Sequence, residues 1–350
     1  MQAAQIVKVK KPLEVEELDV PQPKGSEILI RVKAAGVCHS DIHLWEGGYE
    51  GPGGKFLKTS DRGVKYPLTP GHEVAGIIDS MGEEAEGFVK KEKVLVFPWI
   101  GEGLCPACRV GEENLCDKPR SLGVYQNGGY AEYVLVPSHK YLVNLGNMDA
   151  DSSAPLSCAG ITAYSAVKNA HLKPADNVVI VGAGGLGRMA IQLAKAVTGA
   201  RIIAMDIDDK KLKAAKLSGA DETVNSKSEN VKKSVMELTD NLGVDAVVDF
   251  VNGSKTVETD MTILRRRARI VLVGLFGGAF QLNLISMPTK AYKIMGSYTG
   301  SITDMIELVS LAKRKVIKPI VSNTFKLGQA TKALTMLRDG KIAGRGIINP

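Results

Sequence analysis

The sequence predicts an α/β protein in which a doubly wound parallel sheet is joined to a mostly β domain. Two observations predict the sheet. Val178-Val179-Ile180-Val181, a fully apolar run of β-branched residues, opens directly onto Gly182-Ala183-Gly184-Gly185-Leu186-Gly187, and strands alternate with helices from there to about residue 298. A third observation predicts the β domain. Residues 5–155 read as short alternating strands punctuated by Gly- and Pro-rich turns. The expected boundaries are a first domain over 1–157, a nucleotide-binding domain over 158–297, and a return to the first domain over 298–350.

In the first domain, strands are expected over 13–18 and 28–32, with Pro21-Gln22-Pro23-Lys24-Gly25-Ser26 turning between them and Ala34-Ala35-Gly36 breaking the second. Cys38-His39-Ser40-Asp41-Ile42-His43 then crowds polar and reactive groups into one short stretch, which is costly to bury without a purpose. Further on, Gly71-His72-Glu73 precedes an apolar strand. Cys38, His72 and Cys158 together supply two sulfurs and one imidazole nitrogen, the set that a catalytic zinc uses when one position stays open. The lobe at about 98–118 carries Cys105, Cys108 and Cys116 in a C-x2-C-x7-C array, a strong metal signal. A closed structural site needs four ligands. Glu102, three residues before Cys105, is the expected fourth, with Glu112 and Glu113 as rivals.

In the second domain each glycine of G-x-G-x-x-G has a task. Gly182 permits the tight turn, Gly184 lets a pyrophosphate approach, and Gly187 lets the helix over 186–197 pack against the sheet with its N-terminus toward the phosphates. Arg201-Ile202-Ile203-Ala204-Met205-Asp206 is a second strand, and Asp206 falls where the ribose hydroxyls are bound. No arginine follows it to meet a 2′-phosphate, which favours NAD over NADP, although Lys210 and Lys211 keep the choice open. Helices are expected over 208–217, 228–242 and 255–264, and strands over 222–224, 244–251, 270–274 and 293–298. The last segment adds helices over 303–313 and 329–338, the latter stopped by Gly340, and its return to the first domain would bring Arg345 to the cofactor phosphates.

Composition narrows the function. The chain has 350 residues, 44% hydrophobic and 24% charged, which suits two globular domains and gives no sign of disorder. No apolar run approaches the ~18 residues of a membrane span, and the N-terminus shows no secretory pattern, so the cytoplasm is the expected location. The net charge of +7 raises nucleic acid as a partner, with Arg265-Arg266-Arg267-Ala268-Arg269 the densest basic run. That run is expected at a helix C-terminus, where cations are stabilised, and 5% aromatic residues are too few for a base-stacking platform. Five cysteines, an odd number, point to metal or catalysis rather than a disulfide framework.

Taken together, Cys38-His-Ser-Asp-Ile-His43, Gly71-His-Glu73, the Cys105 to Cys116 lobe, Cys158 with Gly160-Ile-Thr162-Ala-Tyr164, and the glycine loop with Asp206 resemble the zinc-dependent alcohol dehydrogenases of the medium-chain dehydrogenase/reductase family over essentially the whole length. The pattern is nearest to archaeal and thermophilic members, because Glu102 stands where most of the family has a first cysteine. The resemblance implies a Rossmann sheet plus a GroES-like catalytic domain, NAD as cofactor, and two zinc ions per chain. It also implies the roles. Cys38, His72 and Cys158 would hold the catalytic zinc, with Glu73 as an accessory group and Asp41 orienting His72. Ser40 and His43 would relay the alcohol proton; Gly182, Gly184, Gly185, Leu186, Gly187, Thr162, Lys211 and Arg345 would contact the cofactor; and His39 would replace an arginine near the pyrophosphate. Trp99 and Leu275 would line the substrate pocket, helped by Trp45 and Leu122. A small alcohol or aldehyde is the implied substrate, with no nucleic acid or membrane partner and a homo-oligomer, tetramer before dimer. The alternatives are a semialdehyde reductase or a polyol/threonine-type dehydrogenase of the same family, a zinc-free quinone reductase, and a non-catalytic NAD-binding protein.

Overall fold

The computed structural model describes all residues except 52, 53 and 229, the last of which lies inside the helix expected over 228–242. The central strand of the nucleotide-binding half is Asn177–Val181. Its side chains alternate between two cores: Val178 and Ile180 join the large core that runs into the first domain, and Val179 and Val181 join the core on the opposite face. Burial on both faces is why the run is continuously apolar, and each such side chain contributes roughly 1.5–3 kcal/mol. Parallel strands extend the sheet on both sides. In spatial order they are Glu222–Asn225, Arg201–Asp206, Asn177–Val181, Val244–Asp249, Leu264–Leu272 and Lys293–Gly296. The order reverses between Asn177–Val181 and Val244–Asp249, the switch point where open α/β sheets bind ligands.

The other half is a seven-stranded sheet built around Ile28–Val37, whose neighbours are Glu73–Met81, Tyr133–Val136 and Arg345–Asn349. Val321–Lys326 pairs in parallel with Arg345–Asn349, which in turn pairs antiparallel with Ile28–Val37. Ala34-Ala35-Gly36 is no break. The strand runs through it with a register shift between Val32 and Ala34, and Gly36 lies so close to Glu73 that a Cβ there would stand 1.9 Å from a carboxylate oxygen.

The basic run is the main correction to the secondary structure. Arg265 to Arg269 belong to the Leu264–Leu272 strand rather than a helix end, because the preceding helix stops at Thr262 and the chain enters the sheet through an irregular register with Arg267 in the left-handed region, φ 67°. The arginines are partly used within the fold. Arg265 pairs with Asp245 at 2.9 Å, and Arg269 pairs with Asp176. The helix expected over 228–242 is shorter, Val231–Leu238. Among the described residues no helix is long and apolar enough to cross a membrane.

At the end of Val244–Asp249 the Asp249 carboxylate accepts from the amides of Val251 and Asn252, at 2.7 and 2.8 Å, and from Thr256 Oγ1 at 3.0 Å. A second acid, Asp260, is fully buried one turn beyond Thr256. Burial, with the Asp249 charge beside it, holds the Asp260 carboxyl well above the usual carboxylate range. The folded chain therefore keeps a proton that the unfolded chain releases near pH 4, so this contribution is full below that pH and is lost as pH rises. Asp260→Asn should remove that loss. The difference in thermal midpoint between variant and parent is expected to move in favour of the variant between pH 4 and pH 8; a difference that stays constant with pH contradicts the assignment.

Candidate metal and nucleotide site

The helix His39–Glu46 begins where Ile28–Val37 ends, with Cys38 as its N-cap. Its third helical residue, Asp41, is completely buried and accepts from the Cys38 amide at 2.9 Å and the Gly71 amide at 3.3 Å. Asp41 also faces His72 Nδ1 at 3.2 Å and takes the Tyr130 hydroxyl at 3.1 Å. One ring nitrogen of His72 is thus fixed by a carboxylate. The other, Nε2, is buried and has no hydrogen-bond partner. It belongs to a group in which the ligand atoms of Cys38, His72, Glu73 and Cys158 all lie within 4.8 Å of one another, with the two sulfurs 4.0 Å apart. An unpartnered buried nitrogen facing two thiols is an arrangement that a protein pays for unless a metal completes it, and the donor set suits zinc.

Hydrogen bonding with Cys158 holds the Cys38 thiol well below its ordinary value against burial, with Arg345 and His72 assisting, while the same contact and burial push Cys158 well above. Burial pulls His72 down, but the charges of Asp41 and Cys38 outweigh it and hold the imidazole well above its usual value. The lowering at Cys38 favours the thiolate, the form that binds metal.

Glu73 is completely buried, and Arg345 joins it through Nε at 2.9 and 3.1 Å and also through Nη2. Burial raises the Glu73 carboxyl, and Arg345 opposes that rise. The sequence reading directed Arg345 to the cofactor phosphates; in the structure its guanidinium is buried on Glu73, because the Arg345–Asn349 strand adds to the sheet beside Ile28–Val37. Its Cδ still lies 3.9 Å from where a Cβ on Gly185 would stand, so Arg345 lies between the metal cluster and the glycine loop.

In that loop Gly182 adopts φ 88°, which favours glycine, and a Cβ on Gly187 would fall 1.8 Å from the Gly182 carbonyl. Gly184 caps the helix Gly185–Thr198, and a Cβ on it would meet nothing within 4 Å, so open space lies over the helix N-terminus. Leu186 is half-buried on the first turn. Asp206, at the end of the neighbouring strand, accepts from the Ala183 amide at 2.8 Å and the Asp208 amide at 3.0 Å. Thr162 Oγ1 is buried without a partner on the helix Ala159–Asn169, His39 is exposed, and Lys211 is half-buried on the helix Asp209–Leu217.

Ser40 and His43 are both half-buried, one helical turn apart on His39–Glu46. The His43 ring packs on Tyr49 at 4.4 Å, and burial lowers its pKa, so it is neutral and free to accept a proton. Trp99 stands 5.4 Å from the His72 ring and 6.1 Å from the Tyr298 ring, and its indole donates to the Ser157 carbonyl at 3.3 Å.

Two clefts border the site, and they divide the expected pocket residues. Trp99 lines a cavity of about 120 Å³ with Leu44, Tyr49, Arg62, Tyr125 and Tyr298, whereas Leu275 lines an adjoining cleft with Val273 and Ser297, and Asn114 and Tyr298 belong to both. Trp45 and Leu122 line neither: Trp45 donates to the Lys11 carbonyl and packs beneath Arg338, and Leu122 is buried in the core. Side chains around the site that sequence reasoning missed are Tyr130, Tyr49 and Arg62, none of which sits in a motif.

In the lobe, Cys105, Cys108 and Cys116 form a second group of close ligand atoms, and amides of Glu102, Cys108 and Lys118 donate to the sulfurs. Glu102 is beside them but outside the group, its carboxylate taken by the amides of Cys105 and Leu104 at 2.6 and 3.2 Å. The rival Glu113 is engaged elsewhere, with the Gly101 amide and Lys140. Among the described residues the Glu112 side chain shows no such engagement.

Two family models match the chain, the alcohol dehydrogenase GroES-like domain over residues 24–147 and the zinc-binding dehydrogenase over residues 185–314. The chain is 43% identical to an NAD-dependent alcohol dehydrogenase of Sulfurisphaera tokodaii and 42% identical to one of Saccharolobus solfataricus, with 100% of each chain covered in both cases. Its structure is similar to that of an alcohol dehydrogenase from Aeropyrum pernix, with a TM-score of 0.91, 36% identity, and 100% of both chains covered.

Proposed function

The chain belongs to the zinc-binding alcohol dehydrogenases of the medium-chain dehydrogenase/reductase family, and from that premise we propose the roles of its residues. It is an NAD-dependent oxidoreductase that interconverts alcohols with aldehydes or ketones. The observation that carries the site assignment is the buried cluster of Cys38, His72 and Cys158, with His72 Nε2 unpartnered. When bound, zinc polarises the alcohol oxygen and NAD accepts the hydride.

The remaining work falls to the chain. Cys38, His72 and Cys158 hold the catalytic zinc; Asp41, itself fixed by Tyr130 and two amides, sets the tautomer and angle of His72. Glu73 is an accessory group whose charge Arg345 compensates. Ser40 takes the hydroxyl proton and His43, neutral and half-buried, passes it outward. Gly182, Gly184, Gly185, Leu186 and Gly187 cradle the pyrophosphate, helped by His39 and Thr162, while Asp206 and Lys211 face the ribose. Trp99 closes the substrate pocket, and Leu275 lies on the cofactor side. Cys105, Cys108, Cys116 and Glu102 hold a second, structural zinc. The amides of Leu104 and Cys105 both donate to Glu102 Oε1, and a local rearrangement of this turn brings the carboxylate into the group.

The division at 1–157, 158–297 and 298–350 accommodates these roles. All five cysteines are free of disulfides, which favours a reducing cytoplasm. Leu275, Phe276, Leu284 and Ile285 are exposed near the edge strand Lys293–Gly296, which favours a homo-oligomer, a tetramer in this reading.

Asp206 provides the test of cofactor choice. Asp206→Ser should lower kcat/KM for NAD about 10- to 100-fold, the worth of hydrogen bonds to a charged group, and raise the NADP-to-NAD ratio. Equal losses with both cofactors would remove Asp206 from ribose recognition.

A further inference from the structure

The cavity beside the metal cluster is walled by aromatic rings that also touch the chemistry: Trp99 packs on His72, and Tyr49 packs on His43. Its only charged side chain among the described lining residues is Arg62, exposed at the solvent edge. The Arg62 guanidinium lies over the Tyr49 ring, 5.7 Å from its centroid, and forms no ion pair or hydrogen bond among the described residues. No aspartate or glutamate is among the described lining residues to neutralise it. The neighbouring Tyr49, Tyr125 and Tyr298 hydroxyls are likewise not engaged in hydrogen bonds. Burial raises Tyr49 and Tyr298 above the ordinary phenol value, so both remain neutral donors.

An unpaired fork of N–H donors beside phenol hydroxyls, on the wall of a cavity this small, matches a short-chain carboxylate. We propose that Arg62 seats the carboxylate of the substrate, so that the site oxidises short ω-hydroxy carboxylic acids and reduces the matching semialdehydes in preference to plain alcohols. This rests on the alcohol-oxidoreductase reading above and specifies its substrate class. The apolar lining, Leu44 and Val64, takes the methylene chain, and the end near Trp99 takes the reacting carbon.

The test uses the holoenzyme and matched pairs, short straight-chain ω-hydroxy carboxylic acids against unbranched primary alcohols of the same chain length. The acid should have the higher kcat/KM. Arg62→Gln should reduce the acid-to-alcohol ratio about 10- to 100-fold, mainly through KM, and Arg62→Lys should recover part of it. A ratio below one in the parent, or one that Arg62→Gln leaves unchanged, overturns the proposal while plain alcohol turnover keeps the underlying activity intact. A binding arm separates the two claims. Saturable quenching of tryptophan fluorescence by a short alkyl carboxylate, lost in Arg62→Gln, upholds the anion seat even where neither acid nor alcohol is oxidised, an outcome that overturns the activity alone.

Discussion

His72→Ala is expected to lower kcat/KM for alcohol oxidation by at least about 10³-fold, because the substitution removes the only nitrogen from the metal cluster. Polarisation of a substrate oxygen by a metal supplies several kcal/mol of transition-state stabilisation, and each 1.36 kcal/mol is roughly tenfold in rate. The substitution also leaves Asp41 facing a void, although Asp41 keeps its bonds from Tyr130 and from the amides of Cys38 and Gly71. The fold should therefore survive, and one of the two metal clusters should empty while the lobe keeps its zinc. Steady-state kinetics with elemental analysis and far-ultraviolet circular dichroism check this. Retained turnover with an empty cluster would separate the cluster from the chemistry.

Glu73→Gln should have the largest effect on stability. Glu73 and Arg345 are both buried and joined by more than one N–H···O contact, so neutralising the acid leaves a buried arginine charge without its carboxylate partner. Breaking such a pair from one side costs about 3–5 kcal/mol. A fall in thermal midpoint of roughly 5–15 °C is expected, read by calorimetry on zinc-loaded protein. Glu73→Gln combined with Arg345→Met should recover much of it, since removing both charges avoids the unpaired one. A double variant as unstable as the single one would show that the loss comes from packing instead.

The contrast between these residues and the motifs shows what the sequence makes legible. The apolar run before Gly182, the x2 spacing of Cys105 and Cys108, and the crowding at Cys38 to His43 are local, and chemistry written in consecutive residues can be read in order. The Glu73–Arg345 pair joins residues 272 positions apart, and Tyr130 reaches Asp41 over 89 positions. Glu73 and Asp41 lie in motifs, but their partners Arg345 and Tyr130 carry no local signal; the pairing of Arg345–Asn349 with Ile28–Val37 brings Arg345 to Glu73. Arg62 was hidden for a similar reason, since an arginine in an exposed loop has no pattern until Tyr49 and Trp99 close around it. The basic run misled in the opposite direction. Positive charge after a helical pattern resembles a helix end, but the residues had already entered the sheet, where Asp245 and Asp176 take two of the four arginines. Trp99 and Leu275 line adjoining clefts that share Asn114 and Tyr298.

The most direct test of the central claim is the zinc content of freshly purified protein, measured by elemental analysis in parallel with NAD-linked alcohol oxidation before and after chelation. The account predicts two zinc ions per chain, one for each cluster, and loss of turnover as the Cys38–His72–Cys158 cluster empties. Full activity in protein that contains no zinc would contradict it.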